Sequence, residues 1–127
     1  TGGHIIIGDA SNPKAWFGGE LYDAIIADVP CSASGIVRRH PDITYLRQEG
    51  DIKNLQVAQR KILTALWGLL KPGGKLLYVT CSVFPDEGEL QAKWWLNAMP
   101  DAVRLKAPGQ LLPSKQHDGF FYALFEK

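Results

Sequence analysis

Net charge, cysteine and long apolar runs are all scarce in this chain, and each shortage closes off a class of function. Fourteen basic residues against thirteen acidic ones leave a formal charge of +1, so no global field draws the protein to polyanions, and any nucleic-acid role must rest on a local patch. Two cysteines in 127 residues are too few for a disulfide scaffold. Their spacing is not that of a zinc ligand set and no Cys-x-x-Cys occurs, so no metal is expected. The longest apolar stretches are strand-sized, far below the roughly 20 residues of a membrane-spanning helix. No basic start followed by an apolar core and a small-residue cleavage site is present either, so the sequence predicts a cytoplasmic location with no membrane contact. Repeats and low-complexity segments are also missing.

What remains is ordinary globular composition, 46% hydrophobic and 21% charged, at a length that bounds the chain to one domain. His4–Ile7 is a short apolar run closed by Gly8-Asp9. Asp23–Ala27 is a second, apolar throughout its middle as strands covered on both faces are. From Asp51 to Leu70, Leu55, Ala58, Ile62, Leu66 and Leu69 recur at three and four, which predicts one stripe of a long amphipathic helix. Asp51 suits its start, and Lys71-Pro72-Gly73-Gly74 suits its stop. Lys75–Thr80 predicts a third buried strand. Pro85-Asp86-Glu87 predicts the first turn of another helix, with its acids complementing the dipole, running to Pro100. Ala102–Lys106 is a weak strand candidate and Phe120–Phe125, after the Asp118-Gly119 turn, a strong one. This order predicts an α/β fold whose sheet is mostly parallel and ends in an antiparallel hairpin.

Both cysteines follow strand-like runs: Asp28-Val29-Pro30-Cys31 after Asp23–Ala27, and Thr80-Cys81-Ser82 after Lys75–Val79. A buried strand that ends in a reactive residue delivers it to the carboxyl edge of the sheet, where open α/β folds bind ligands. Two such strands would aim both sulfurs at one pocket. A cysteine at a strand end also serves as a small buried hydrophobe. An aspartate before proline also caps a turn, and Asp9 in Gly8-Asp9 reads equally well as a turn residue.

Asp28-Val29-Pro30-Cys31-Ser32-Ala33-Ser34-Gly35, Arg38-Arg39-His40-Pro41-Asp42, Tyr78-Val79-Thr80-Cys81-Ser82 and Asp118-Gly119-Phe120-Phe121 resemble, in order and separation, the Sun (RsmB-like) family of RNA cytosine-5 methyltransferases. The resemblance runs from about Gly8 to the carboxyl terminus, with Val29 standing where alanine is usual. It implies a Rossmann-like methyltransferase fold that uses S-adenosylmethionine and acts on ribosomal RNA of the small subunit. It also implies that a glycine-rich cofactor loop, an acidic ribose-binding residue and an amino-terminal RNA-binding domain precede Gly8. The chain is then expected to be the carboxyl-terminal part of one catalytic domain, with a truncated sheet whose bare strand edge invites self-association and with doubtful activity of its own.

The chemistry explains why these residue types belong together. Cytosine carbon 5 is a poor nucleophile, so such enzymes first add a thiolate to carbon 6 and make an enamine at carbon 5. The thiolate must be accessible and its pKa lowered. The resemblance assigns Cys81 as nucleophile and Cys31 as the second sulfur, which helps remove the carbon 5 proton and release product. It places Asp28, partly desolvated, beneath the base, where a hydrogen bond to cytosine N3 stabilises developing charge. It also places Asp28 and Pro30 near the methyl donor, and Asp9 against the donor's adenine. Arg38, Arg39, His40 and Arg47 form the basic cluster near this pocket, either a solvated loop or a phosphate contact that positions RNA without reading it. Trp16, Trp67, Trp94 and Trp95 read as packing residues, and of the adjacent Trp94 and Trp95 one at most can face the core. Other classes stay open: a cysteine-pair redox or acyl-transfer enzyme, although no histidine neighbours either cysteine, and an inactive structural or RNA-binding unit.

Overall fold

The computed structural model describes residues 8–31, 49–82, 84–112 and 119–127, with residues 49–52 as backbone. The His4–Ile7 strand and Arg38, Arg39, His40 and Arg47 lie outside the described residues. The elements are β1 (Tyr22–Asp28), α1 (Glu49–Trp67), β2 (Leu70–Thr80), α2 (Glu89–Ala98), β3 (Val103–Leu111) and β4 (Phe120–Glu126). The strands form one sheet in the order β1-β2-β4-β3.

The sheet is mixed, not mostly parallel. β1 and β2 are parallel, whereas β4 is antiparallel to both β2 and β3. The cause is topological. α1 is a crossover long enough to bring β2 back parallel to β1, and α2 does the same for β3, but β3 lands one place too far out. β4 then turns back from β3 and fills the gap between β2 and β3. The expected pairing of the Asp23–Ala27, Lys75–Thr80 and Phe120–Phe125 segments is present, as is the terminal antiparallel pair.

One face of the sheet carries the core. Leu76, Tyr78 and Thr80 lie opposite Phe125, Ala123 and Phe121 in register, and all six are fully buried. Both helices press on this face with Leu63, Leu66 and Trp67 from α1 and Ala92 and Trp95 from α2. Trp67 and Trp95 meet edge to face, ring centroids 5.4 Å apart. Trp95 is fully buried while Trp94 is half-buried with the Arg60 guanidinium 4.6 Å over its ring, so one of the two tryptophans faces the core, as their adjacency requires. The opposite face carries Ile26, in register with Leu77. Ile26 is 73% exposed, so among the described residues β1 is covered on one face and not two.

Three local differences from the sequence reading have physical reasons. The buried stripe of α1 runs through Gln59, Leu63, Leu66 and Trp67, rotated from the apolar count because it includes a polar residue. β2 begins at Leu70, before the expected stop. Its pairing steps from Tyr22↔Leu70 to Ala24↔Lys75, so residues 71–74 arch out as a bulge around Gly73 at φ +82°, a conformation that suits glycine. Pro85–Glu87 is a separate 3-10 turn, and α2 starts only after Gly88. A Cβ on Gly88 would lie 2.9 Å from the Phe121 ring, so glycine is what lets this turn approach β4.

Candidate active site

The parallel pairing of β1 and β2 decides where the cysteines go. Asp28 is in register with Val79, and the ladder continues one step through Val29 N–H donating to the Val79 carbonyl at 3.1 Å. Cys31 therefore leaves β1 at the level where Cys81 leaves β2. Their sulfurs lie 3.2 Å apart in a hydrogen bond with no disulfide, and both residues are half-buried. The convergence expected from the sequence is present in the geometry.

The electrostatics reverse one expectation. The Cys81 thiol is held well above its ordinary pKa, first by the hydrogen bond with the Cys31 sulfur, then by burial and by the negative charges of Cys31 and Asp28. Two sulfurs this close oppose each other's ionisation, so Cys81 holds its proton more tightly than an isolated thiol does. Asp28 is exposed at the end of β1, not partly desolvated. Asp9 is exposed too, and its Oδ1 accepts from the Ser11 N–H at 2.9 Å and the Ser11 hydroxyl at 2.7 Å. Those two bonds pull its pKa below the usual carboxylate value and give it the turn-forming role.

Behind the sulfurs is a buried polar network that hydrophobic patterning did not find. Gln59 Nε2 donates to the Pro30 carbonyl and to Glu87 Oε2, each at 2.9 Å. Glu87 Oε1 accepts from the Ser82 hydroxyl at 2.6 Å, and the Ser82 oxygen accepts from the Phe84 N–H at 3.1 Å. Gln91 Nε2 donates to Gln59 Oε1 at 2.9 Å, and the Tyr78 hydroxyl to the Glu87 carbonyl at 2.6 Å. Gln59, Ser82, Glu87 and Gln91 are all fully buried. Burial, together with the charges of Glu87 and Cys31, raises the Tyr78 pKa, so its phenol stays protonated as a donor. One signal was present in the sequence: Gln59 and Gln91 stand four residues before the buried Leu63 and Trp95, on the inward face of their helices. Glu87 gave none, because an acid two residues after Pro85 reads as a complement to the helix dipole.

The sequence profile of 16S rRNA methyltransferase RsmB/F matches residues 2–126. The chain belongs to this RsmB/F family. "Ribosomal RNA small subunit methyltransferase B" of Vibrio cholerae serotype O1 is 49% identical over 129 residues, covering 97% of this chain and 30% of the relative. The crystal structure of PH0851 superposes with a TM-score of 0.87 at 34% identity, over 96% of this chain and 30% of that one. NSun6 from Pyrococcus horikoshii with SFG gives a TM-score of 0.77 at 26% identity, over 96% of this chain and 34% of that one. This RsmB/F chain thus has the methyltransferase fold and spans about a third of the length of these relatives. Among the described residues no helix is long and apolar enough to cross a membrane, and no cluster of His, Cys, Asp and Glu is arranged to hold a metal.

Proposed function

We propose that this chain is the carboxyl-terminal part of the catalytic domain of an enzyme that methylates carbon 5 of a cytosine in small-subunit ribosomal RNA, in the cytoplasm. One observation carries the reading: two sulfurs 3.2 Å apart at the carboxyl ends of two parallel strands. Carbons 5 and 6 of cytosine are bonded neighbours, so a reaction needing a nucleophile at one and a proton acceptor at the other needs two side chains this close. Membership of the RsmB/F family favours it over redox or acyl-transfer chemistry.

Cys81 gives its proton to solvent and its thiolate forms a bond to carbon 6, which drives the ring electron pair to carbon 5. The methyl donor, S-adenosylmethionine, supplies an electrophilic methyl group that carbon 5 then takes. Cys31, once ionised, takes the carbon 5 proton on its sulfur, the freed electron pair re-forms the 5,6 double bond, and the Cys81 thiolate leaves. Asp28, exposed beside the pair, donates a hydrogen bond to cytosine N3 from its carboxylic acid form as negative charge develops on the ring. A base held in a helix must first be turned out, at a cost of a few kcal/mol.

The residues present fit one wall of a donor site. Asp28 ends β1 and Pro30 follows it, at the carboxyl end of the parallel pair and on the strand that ends the sheet among the described residues, where such folds hold ligands, and the exposed Asp28 is accessible to a polar group. Asp9 fits the adenine contact less well, because Ser11 already engages its carboxylate. Arg38, Arg39 and His40 would contact RNA phosphates.

The deciding experiment separates the sulfurs in the full-length enzyme. Cys81→Ala abolishes methylation and covalent RNA capture, whereas Cys31→Ala attacks but cannot release, so an RNA–protein adduct accumulates on a denaturing gel. Adduct in the Cys81 variant and none in the Cys31 variant would reverse the assignment.

A further inference from the structure

We infer that Gln59 and Glu87 are positioning residues that fix the Cys31 sulfur against that of Cys81. The kinetic part of this inference rests on the methyltransferase reading; the geometric part does not. A single chain of hydrogen bonds joins the residue before one cysteine to the residue after the other: Pro30 carbonyl, Gln59 amide, Glu87 carboxyl, Ser82 hydroxyl.

The amide at the centre is saturated. Both Nε2 hydrogens of Gln59 are used, by Pro30 and Glu87, and its Oε1 accepts from Gln91. Rotating the amide by half a turn would face its NH2 against the Gln91 NH2 donor and its oxygen against the acceptors, so the network admits one orientation. Buried as it is, a broken link costs more than in water.

The two sulfurs are not held equally. Cys81 follows directly from Thr80, which is paired with Phe121 inside the sheet. Cys31 lies three residues beyond the last residue of β1, and the backbone ties before it include the Val29 N–H to Val79 and the Pro30 carbonyl to Gln59. Cutting the Gln59–Pro30 link therefore loosens the backbone that leads to Cys31 and leaves the pairing before Cys81 in place. Attack at carbon 6 survives, while proton removal at carbon 5, and with it release of product, slows.

Two variants of the full-length enzyme isolate that link. Glu87→Gln preserves it, because the new amide oxygen accepts from Gln59 and its NH2 donates to the Ser82 oxygen. Gln59→Glu combined with Glu87→Gln exchanges the two groups. The 59–87 bond, the acceptor for Ser82 and the acceptor for Gln91 all survive, but position 59 no longer donates to the Pro30 carbonyl.

Two readouts apply: the ratio of accumulated RNA adduct to methylated product, and the rate at which diamide oxidises Cys31 and Cys81 to a disulfide as the diamide is reduced to its hydrazine, followed by peptide mass. Glu87→Gln behaves like the wild type in both. The exchanged pair raises the adduct ratio and slows disulfide formation, each by roughly tenfold, the cost of one buried hydrogen bond. A purely structural role would lower adduct and product together with the folded fraction and leave their ratio unchanged.

Wild-type behaviour of the exchanged pair in both assays overturns the inference, as does loss of rapid disulfide formation in Glu87→Gln. Should the exchanged pair fail to fold, Gln59→Met cuts the same link and is judged by the same two readouts. If neither the wild-type enzyme nor Cys31→Ala forms an RNA adduct, the methyltransferase reading fails and the disulfide rate alone decides the positioning claim.

Discussion

Val79 accepts a backbone hydrogen bond from Val29 at 3.1 Å, one step beyond the Asp28↔Val79 register pair. This contact sets how far β1 stays zipped to β2 and where the Pro30-Cys31 corner begins. The closeness of the sulfurs is therefore a property of strand register. A slip of one residue would turn every side chain of β1 to the other face and take Cys31 with it.

The raised pKa of Cys81 predicts an unusual pH response. Hydrogen bonding to Cys31 is the largest influence raising the Cys81 pKa, ahead of burial and of the charges on Cys31 and Asp28. A group held protonated reacts faster as pH rises, so adduct formation by the wild-type enzyme should climb with pH beyond the range of an ordinary thiol. In Cys31→Ala the largest cause is gone, and the rise should move to lower pH. Quench-flow measurement of adduct formation across the pH range checks this; a profile that moves to higher pH in Cys31→Ala would contradict the assignment of cause.

Thr80 offers a stability test next to the site. Its hydroxyl oxygen is fully buried and has no hydrogen-bond partner among the described residues. An unsatisfied buried polar group costs about 1–3 kcal/mol, and valine has nearly the same shape. Thr80→Val should raise stability by about 1 kcal/mol and leave adduct formation unchanged, since the side chain points into the core beside Phe121 and away from the sulfurs. Denaturant unfolding measures the first and the RNA gel the second. A loss of 1 kcal/mol or more would mean that the hydroxyl has a partner.

How much of this was legible in the sequence follows from what each signal measures. Apolar alternation in Lys75–Thr80 and Phe120–Phe125 reports half-buried strands, and both are present. The motifs around Cys31 and Cys81 report the ends of two strands, and the sulfurs meet. Sheet direction was not legible, because whether β4 lies outside β3 or between β2 and β3 is decided by packing on the helices and not by local pattern. The network behind the site was hidden for a related reason. Hydrophobic periodicity counts apolar residues, and Gln59, Gln91 and Glu87 occupy core positions with polar side chains that satisfy one another. Asp28 and Asp9 show the limit of motif reading: the motif names the residue, but its exposure and partners come from the fold.

The basic cluster predicts a salt effect. If Arg38 and Arg39 contact phosphates, replacing both by alanine in the full-length enzyme weakens RNA binding across sequences and lowers the salt slope by roughly one charge per lost contact. Donor affinity stays the same. Binding titrations at several salt concentrations distinguish this from a solvated loop, for which the slope is unchanged.

The last prediction concerns the 127-residue polypeptide on its own. β1 ends the sheet among the described residues, and Ile26 on it is 73% exposed. An apolar strand with an open edge recruits a partner, so the polypeptide should self-associate in a concentration-dependent way, and Ile26→Lys should suppress association without unfolding the core on the opposite face. Light scattering after gel filtration reads both. The same geometry bears on the donor site: if Asp28 and Pro30 form one wall of it, the edge of β1 is where the rest of the sheet would complete it. S-adenosylmethionine should therefore bind this polypeptide far more weakly than it binds the full-length enzyme. Tight, stoichiometric binding in a calorimeter would show that the described residues already complete the site, and the placement of the donor beside Asp28 and Pro30 would have to be abandoned.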